Sequence, residues 1–306
     1  MKIYKNLNLK KIHQNGILAI GNFDGIHLGH QKVILQAKSK AKKLKLPFGI
    51  LTFEPMPVMF FNKKIKNHRI NSIAQKKQQL KKFNLDFMIV IRFNKKFSKI
   101  SAKNFIDLII SKKIKCKFLF VSSNFRFGFK RGGNVNTLKR LSKKFGYKIV
   151  ITKPYKKNSK IVSSSLIRKK ISQGKIYEVN NLLNRNWEIV GKVIKGKRRG
   201  RKIGFPTCNM KMNNYVIPRL GVYAVKIRTT KLIKNGISNI GYRPTFKGQN
   251  LLLETNIFGI NQNLYDKEIE VNFKKFIRPE KKFKNLEHLK EQIKKDIAKA
   301  KNNVKR

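Results

Sequence analysis

The sequence predicts two domains in series: a doubly wound α/β domain built on a parallel sheet, then a small β-barrel with a terminal helix. Three observations carry this. Over roughly the first 184 residues, short apolar runs alternate with longer segments of helical periodicity, the pattern of βαβ units in a parallel sheet. Beyond that point, short apolar or alternating runs follow one another with turns between them, as in small barrels. The chain ends on one amphipathic stretch, and its 306 residues suffice for two ordinary domains.

Taken in order, Ile17–Ile20 is a short buried strand flanked by glycines, and Gly21–Gly29 a glycine-rich loop. Leu28–Leu44 places Val33, Ile34, Ala37, Ala41 and Leu44 on one helical face, with Pro47 marking the end of that helix. Phe48–Phe53 is the second strand and closes a right-handed β-loop-α-β unit. Strands follow at Phe87–Ile91, Phe118–Val121 and Lys148–Thr152, with helices at Ile73–Phe83, Ser101–Ile110 and Val135–Phe145. One helix over Ser163–Leu183 closes the domain. The expected division is therefore 1–184 and 185–306. The barrel strands are Glu188–Val193, Gly221–Ile227, Ile237–Ile240, Leu251–Ile257 and Ile269–Phe273. Leu286–Ala300 carries Leu286, Leu289, Ile293 and Ile297 at helical spacing and forms the terminal helix.

Charge is the chain's least ordinary feature. Lys and Arg number 73 against 14 acids, a formal charge of +59. Such a charge suggests nucleic acid, but a binding face concentrates its cations. Here residues 1–100, 101–200 and 201–306 carry 22, 27 and 24 of them. The even spread reads as a lysine-coated enzyme of lysine-, asparagine- and isoleucine-biased composition, with no specific nucleic-acid partner. Two distant cysteines form neither a disulfide framework nor a metal-ligand spacing, and point to a reducing cytoplasm. The apolar part of the first 21 residues is too short for a signal peptide, and no run reaches the ~20 residues that would span a membrane.

Gly21-Asn22-Phe23-Asp24-Gly25-Ile26-His27-Leu28-Gly29-His30 joins a strand to a helix. Backbone amides at a helix N-terminus attract phosphate, and Gly25 and Gly29 permit close backbone approach. His27 and His30, three apart, share a face if both are helical, and two imidazoles there can stabilise a developing pyrophosphate. This loop resembles the G-x-F-D-G-x-H-x-G-H of the nucleotidyltransferase superfamily, in the form found in the FMN adenylyltransferase module of prokaryotic bifunctional FAD synthetases. Thr52-Phe53-Glu54-Pro55-Met56-Pro57 resembles the family's T-F-x-P-H-P, Val121–Gly128 its V-G-x-[DN]-F-x-F-G, and Ser163–Arg168 its S-[ST]-x-x-R. The resemblance implies a Rossmann-like nucleotidyltransferase fold. It also implies that Gly21, Phe23, Asp24, Gly25, His27, Gly29 and His30 surround the ATP phosphates, with Asn124 orienting them. Ser164, Ser165 and Arg168 would steady the triphosphate, although a helix N-cap also explains serines there. Phe53, Pro55, Phe125, Arg126 and Phe127 would face the flavin. Met56 stands where the family has His, and Ser122 where it has Gly; Ser tolerates φ > 0 less well.

In the second half, Gly191–Gly196 leads into Gly200-Arg201-Lys202-Ile203-Gly204-Phe205-Pro206-Thr207-Cys208-Asn209. Gly196 and Gly204 suit a phosphate-binding flap. Thr207 and Asn209 offer two neutral oxygens, which suit Mg²⁺ carrying a nucleotide phosphate, though Pro-Thr-x-Asn is also a plausible turn. The stretch resembles the G-R-x-x-G-[FY]-P-T-A-N of riboflavin kinases. Gly221–Ala224, Asn239–Phe246, Leu264–Lys267 and Arg278–Phe283 resemble four further elements of that family, with Asp266 standing in for a usual Gly. Glu254, inside the apolar run Leu251–Phe258, resembles the family's catalytic carboxylate. It would act as general base on the ribityl hydroxyl, with Arg278 and Phe283 beside the flavin; an acid on an exposed strand face is the alternative. Asn256 and Gly259 depart from the usual His and Asp. The resemblance as a whole implies a cytoplasmic enzyme that phosphorylates riboflavin to FMN and adenylylates FMN to FAD, with ATP as co-substrate and Mg²⁺ as cofactor. The alternatives are the same fold retaining one activity, or a basic nucleic-acid-binding protein.

Overall fold

The computed structural model describes residues 1–196, 199–245, 248–260 and 262–304. Phe246, the last residue of the Asn239–Phe246 motif, lies outside them. The chain divides into two compact units, Met1–Lys66 with Ile73–Ser163, and Asn67–Ser72 with Ser164–Arg306.

In the first unit, β1 (Lys2–Tyr4), β2 (Ile17–Ile20), β3 (Phe48–Glu54), β4 (Phe87–Arg92), β5 (Phe118–Ser122) and β6 (Lys148–Thr152) form a sheet in the order β1-β4-β3-β2-β5-β6. Every pairing is parallel. Strand alternation sends Leu18, Ile20, Leu51, Ile89, Leu119 and Val121 into one core and Ile17, Ala19, Ile50, Met88 and Phe120 into the other. Helix α1 (Leu28–Leu44) covers the second face with Val33, Ile34, Ala37 and Ala41, all buried. Burying Val33 or Ile34 contributes about 1.5–3 kcal/mol relative to exposure. The helix ends on Lys45 in the left-handed conformation, two residues ahead of Pro47. Helices α2 (Pro57–Phe61), α3 (Ile73–Lys81) and α4 (Lys95–Ser98) follow their strands, and α5 (Ala102–Asn104) runs into a π-helical segment, Phe105–Lys113. That segment buries Phe105, Ile106, Ile109 and Ile110 against the first face. Helix α6 (Val135–Ser142) is closed by a reciprocal cap between Asn134 and Thr137. A short hairpin, β7 (Lys156–Lys157) and β8 (Lys160–Ile161), ends the unit.

In the second unit the expected helix over Ser163–Leu183 is two helices, α7 (Ser164–Ser172) and α8 (Ile176–Leu183). The break falls at Gly174, whose φ of +73 no helix accommodates. Strands β9 (Glu188–Lys192), β10 (Cys208–Lys211), β11 (Gly221–Arg228), β12 (Ile233–Thr245), β13 (Gly248–Ile257) and β14 (Glu268–Arg278) pair antiparallel in the order β10-β13-β12-β11-β14-β9. A bridge from Ile194 to Asn209 brings the two edges together, so the sheet is a nearly closed barrel. A short helix, α9 (Arg199–Lys202), precedes β10, and α10 (Leu286–Val304) lies against β11, β12 and β14. Among the described residues no helix is long and apolar enough to cross a membrane.

Candidate active sites

The first site is the turn between β2 and α1. Phe23, Gly25 and Ile26 all hold positive φ, at 46°, 85° and 42°. For a β-branched residue such as Ile26 this is a costly conformation, and clusters of such strain mark functional loops. Residues of opposite handedness in succession can turn backbone N–H groups to one side, as in anion-binding nests, and this turn leads directly into a helix N-terminus. His27 is not inside the helix, as its spacing from His30 suggested. It is the N-cap, and its Nδ1 accepts from the backbone N–H of His30 at 3.3 Å. A neutral His27 with Nδ1 as acceptor carries its proton on Nε2, which is then a donor. The two imidazoles stack with centroids 3.7 Å apart. Gly29 makes this possible, since a Cβ there would stand 3.1 Å from the His27 ring and from the Val162 carbonyl. Phe23 is buried and meets His30 edge-on at 5.3 Å, so its role is to wedge that ring in place. Asp24 is buried, and Gly21 precedes the wedge.

One further group belongs to this loop, and sequence reading did not find it. Lys76 of α3 is 2 % exposed, and its Nζ donates to the carbonyl of Asn22 at 2.7 Å and meets Thr52 Oγ1 at 3.5 Å. Thr52, fully buried, donates to the same carbonyl at 3.1 Å. The T-F-x-P segment and α3 therefore grip the phosphate loop from within.

Asn124 is exposed just past β5, and Ser122 Oγ donates to its Oδ1 at 2.8 Å. Ser122 ends β5 and is not among the residues of positive φ, so the change from Gly strains nothing. It fixes the Asn124 side chain by its carbonyl oxygen. Phe53 and Phe127 belong to one aromatic ladder. Phe53 meets Phe97 at 5.8 Å, Phe97 meets Phe105, Phe105 meets Phe127 at 5.3 Å, and Phe127 stacks on Phe125 at 5.5 Å. Phe93, Phe60 and Phe61 continue it beyond Phe53, Phe61 being exposed. Pro55 is half-buried, Arg126 is exposed, and Met56 is buried at the start of α2. Ser164, Ser165 and Arg168 lie in the first turns of α7, in the second compact unit.

The second site lies on the barrel. A cleft of about 310 Å³ is lined by Val193, Arg201, Pro206, Thr207, Cys208, Thr255 and Ile257, with Ile260, Gln262, Asn263, Leu264 and Tyr265. Glu254 does not line it. Strand alternation puts Thr255 and Ile257 on the cleft's face and Glu254 on the other, in one row with its register partners Asn209 and Asn239. Thr207, just ahead of β10, stands on the cleft, while Asn209 stands on the Glu254 side. Asn209 is buried, and its Oδ1 has no hydrogen-bond partner among the described residues. A buried orphan oxygen is costly unless something binds it. Such an oxygen fits the hard-oxygen demand of Mg²⁺, which needs few protein ligands when a phosphate supplies the rest. No group of three or more His, Cys, Asp or Glu among the described residues could hold a metal. Gly196 packs against the Asn209 amide, and Gly204 holds φ +90 in the turn between α9 and Pro206.

Two of the departures have structural roles. Asn256 donates from Nδ2 to the Pro206 carbonyl at 2.7 Å and so fixes the turn that presents Thr207. Asp266 takes φ +60, a conformation Asp tolerates better than most residues, where the motif it resembles has Gly. Glu254 Oε2 accepts from Arg243 Nη2 at 2.6 Å and Nε at 3.2 Å, and Arg243 Nη1 reaches Glu280 Oε1 at 3.2 Å. Burial works against the Arg243 charge, but the bonds and fields of the two glutamates outweigh it, so the guanidinium holds its proton more firmly than usual. Arg278 gives its Nε and Nη2 to Asp296 of α10 and its Nη1 to the Pro279 carbonyl, leaving its face over Phe283 at 5.7 Å.

Comparison with known proteins agrees with both halves. Residues 9–166 match the family described as FAD synthetase, and residues 183–304 the family described as riboflavin kinase. The chain is 40% identical over 301 residues to a bifunctional riboflavin kinase/FMN adenylyltransferase of Buchnera aphidicola from Acyrthosiphon pisum, covering 97% of this chain and 96% of that one. It is 38% identical to the protein of the same description in Haemophilus influenzae, covering 98% of each. A crystal structure described as a macrolide-efflux protein from Streptococcus pneumoniae superposes with a TM-score of 0.87 at 27% identity, covering 98% of both chains.

Proposed function

The chain belongs to the bifunctional riboflavin kinase/FMN adenylyltransferases, and from that premise we propose how its residues divide the work. The enzyme phosphorylates riboflavin with ATP to give FMN and ADP, then joins FMN to AMP from a second ATP to give FAD and pyrophosphate. Two family matches in tandem over nearly the whole chain carry this conclusion. We set the boundary between the two catalytic domains at about residue 184, where Asn184 in the left-handed conformation ends α8 and the second match has just begun.

In adenylyl transfer a phosphate oxygen of FMN attacks the α-phosphorus of ATP, and the bond to the β-phosphate oxygen breaks. Charge builds on the departing pyrophosphate. The Nε2–H of His27, the stacked His30 ring and the N–H groups of the Phe23–Ile26 turn are suited to receive it. Asn124, oriented by Ser122, adds amide donors. Arg168, in the α7 helix that begins at Ser164 and Ser165, carries a planar fork suited to phosphate oxygens. The Phe53–Phe127 ladder with Pro55, Arg126 and Phe125 offers the flavin a face.

In the kinase reaction the ribityl hydroxyl attacks the γ-phosphorus, ADP leaves, and the hydroxyl proton passes to Glu254. Gly196 and Gly204 shape the flap over the nucleotide, whose γ-phosphate must lie on the Glu254 side of β13. Arg278 and Phe283 stand on the flavin side. Thr207 and Asn209 would hold Mg²⁺, which neutralises phosphate charge when bound. The enzyme acts in the cytoplasm, where its two free cysteines stay reduced. Incubation with riboflavin, ATP and Mg²⁺, followed by chromatography, tests the reading: FMN forms first and FAD after it, and chelation of the metal stops both. FMN without FAD, or conversion only of supplied FMN, would assign this chain a single activity.

A further inference from the structure

The kinase base has an anchor of its own. Asn239, Gly241 and Arg243 alternate along one face of β12, and Glu254 of β13 shares that face through its pairing with Asn239. The fork of Arg243 binds Glu254 through Oε2 alone, at 2.6 Å and 3.2 Å. Among the described residues nothing bonds Oε1. Arg243 is itself held, by Glu280 Oε1 at 3.2 Å and by the Tyr242 carbonyl at 3.1 Å, and Asn239 Nδ2 donates to the same Glu280 oxygen at 3.2 Å. A side chain at Gly241 would collide with Glu280 Oε1 and with Arg243 Nη1, so the glycine is what lets the pair lie across the strand.

We propose that Arg243, held by Glu280 and Asn239, is the positioning residue of the kinase: it anchors one oxygen of Glu254 and so presents the other to the ribityl hydroxyl. This rests on Glu254 being the base. A glutamate carboxylate turns easily about its last torsion, whose energy wells are broad. A base is useful only while a lone pair stays within hydrogen-bond reach of the proton it takes. Two donors on one oxygen stop that rotation and make the carboxylate's two ends inequivalent. The cation is shared between two carboxylates, and the cluster of Arg243, Glu254 and Glu280 keeps a formal charge of −1. The anchor also ties the base to the Arg278–Phe283 segment through Glu280, so the residue that fixes proton transfer is continuous with the segment assigned to the flavin.

The test uses the full chain with three substitutions and reads riboflavin phosphorylation together with ADP affinity by calorimetry. In Arg243→Ala, kcat falls roughly 10- to 100-fold, part of the 10²–10⁴ a general base contributes. KM for ATP and the affinity for ADP stay near their original values. Dilute methylguanidinium restores much of the lost kcat, which it could not do if Arg243 merely held the barrel together. Unchanged kcat, or a loss that methylguanidinium does not relieve while ADP still binds, overturns the proposal. Should Arg243→Ala lose ADP binding, Glu280→Gln decides. A several-fold fall in kcat with ADP affinity kept supports the anchor, and unchanged kcat removes it. Glu254→Gln keeps the two ideas apart: if it phosphorylates riboflavin normally, the base assignment itself fails.

Discussion

Replacing Lys76 by Met removes the ammonium that holds the phosphate loop from beneath while nearly preserving volume, since both side chains are long and unbranched. The bond lost is a charged one, Nζ to the Asn22 carbonyl at 2.7 Å. Such bonds are worth about 1.5–3 kcal/mol. Thr52 Oγ1 still donates to the same carbonyl at 3.1 Å, so the acceptor is not stranded and the effect falls in the lower half of that range. Expressed wholly in the adenylyl-transfer barrier, that is a loss of about 10- to 50-fold. The assay is FAD formation from FMN and ATP, with FMN formation from riboflavin in the same preparation as internal reference. FAD formation falls and FMN formation does not. FAD formation within about twofold of the parent would refute the loop-clamp reasoning, and equal loss of both activities would show general misfolding instead.

Other residues give further expectations. Asn256→Ala removes the bond to the Pro206 carbonyl, worth about 1 kcal/mol, and raises the KM for ATP in the kinase reaction by roughly fivefold; an unchanged KM contradicts the role given to that turn. Burial raises the Cys208 thiol to about 11, so only about one molecule in 3,000 is thiolate at pH 7.5. Iodoacetamide labelling of Cys208, read by mass spectrometry, is therefore slow at neutral pH and speeds tenfold per pH unit toward 11; rapid neutral labelling would mean the thiol is not so enclosed. Asp296→Asn breaks the pair with Arg278, in which Asp296 is 2 % exposed, and lowers stability by about 3 kcal/mol, seen as an earlier melt by circular dichroism; an unmoved transition would show that α10 is held by its apolar face alone.

The parallel sheet was legible because its strands are buried on both faces and so read as continuous apolar runs, Ile17–Ile20 and Phe87–Ile91 among them. Helix α1 was legible to the residue, since five apolar positions share one face and Lys45-Leu46-Pro47 cannot extend it. What escaped has physical reasons. Strand β1 is three residues long, with only Tyr4 buried, and leaves no pattern to read. The break between α7 and α8 rests on one glycine, which propensity alone tolerates within a helix. Strand β12 runs through Asn235, Gly236, Gly241 and Pro244, residues that signal turns, because partners on both sides impose the conformation. The histidines of the first site were found, but their arrangement was not: capping, rather than helical spacing, stacks His27 on His30. Lys76 could not have been found, being one of 73 basic residues with nothing local to mark it as buried. That Glu254 turns away from the cleft follows from the Glu254/Thr255 alternation, and becomes visible only once the cleft is seen to lie on the Thr255 side.

Two pockets that act independently on one flavin can be silenced one at a time. Purified His27→Ala/His30→Ala and Glu254→Ala, each given ATP and Mg²⁺ with either riboflavin or FMN, measure this most directly. The histidine pair should still make FMN and no FAD, and the glutamate variant should make FAD from FMN but nothing from riboflavin. Loss of both products in either variant, or the reverse partition, would contradict the assignment.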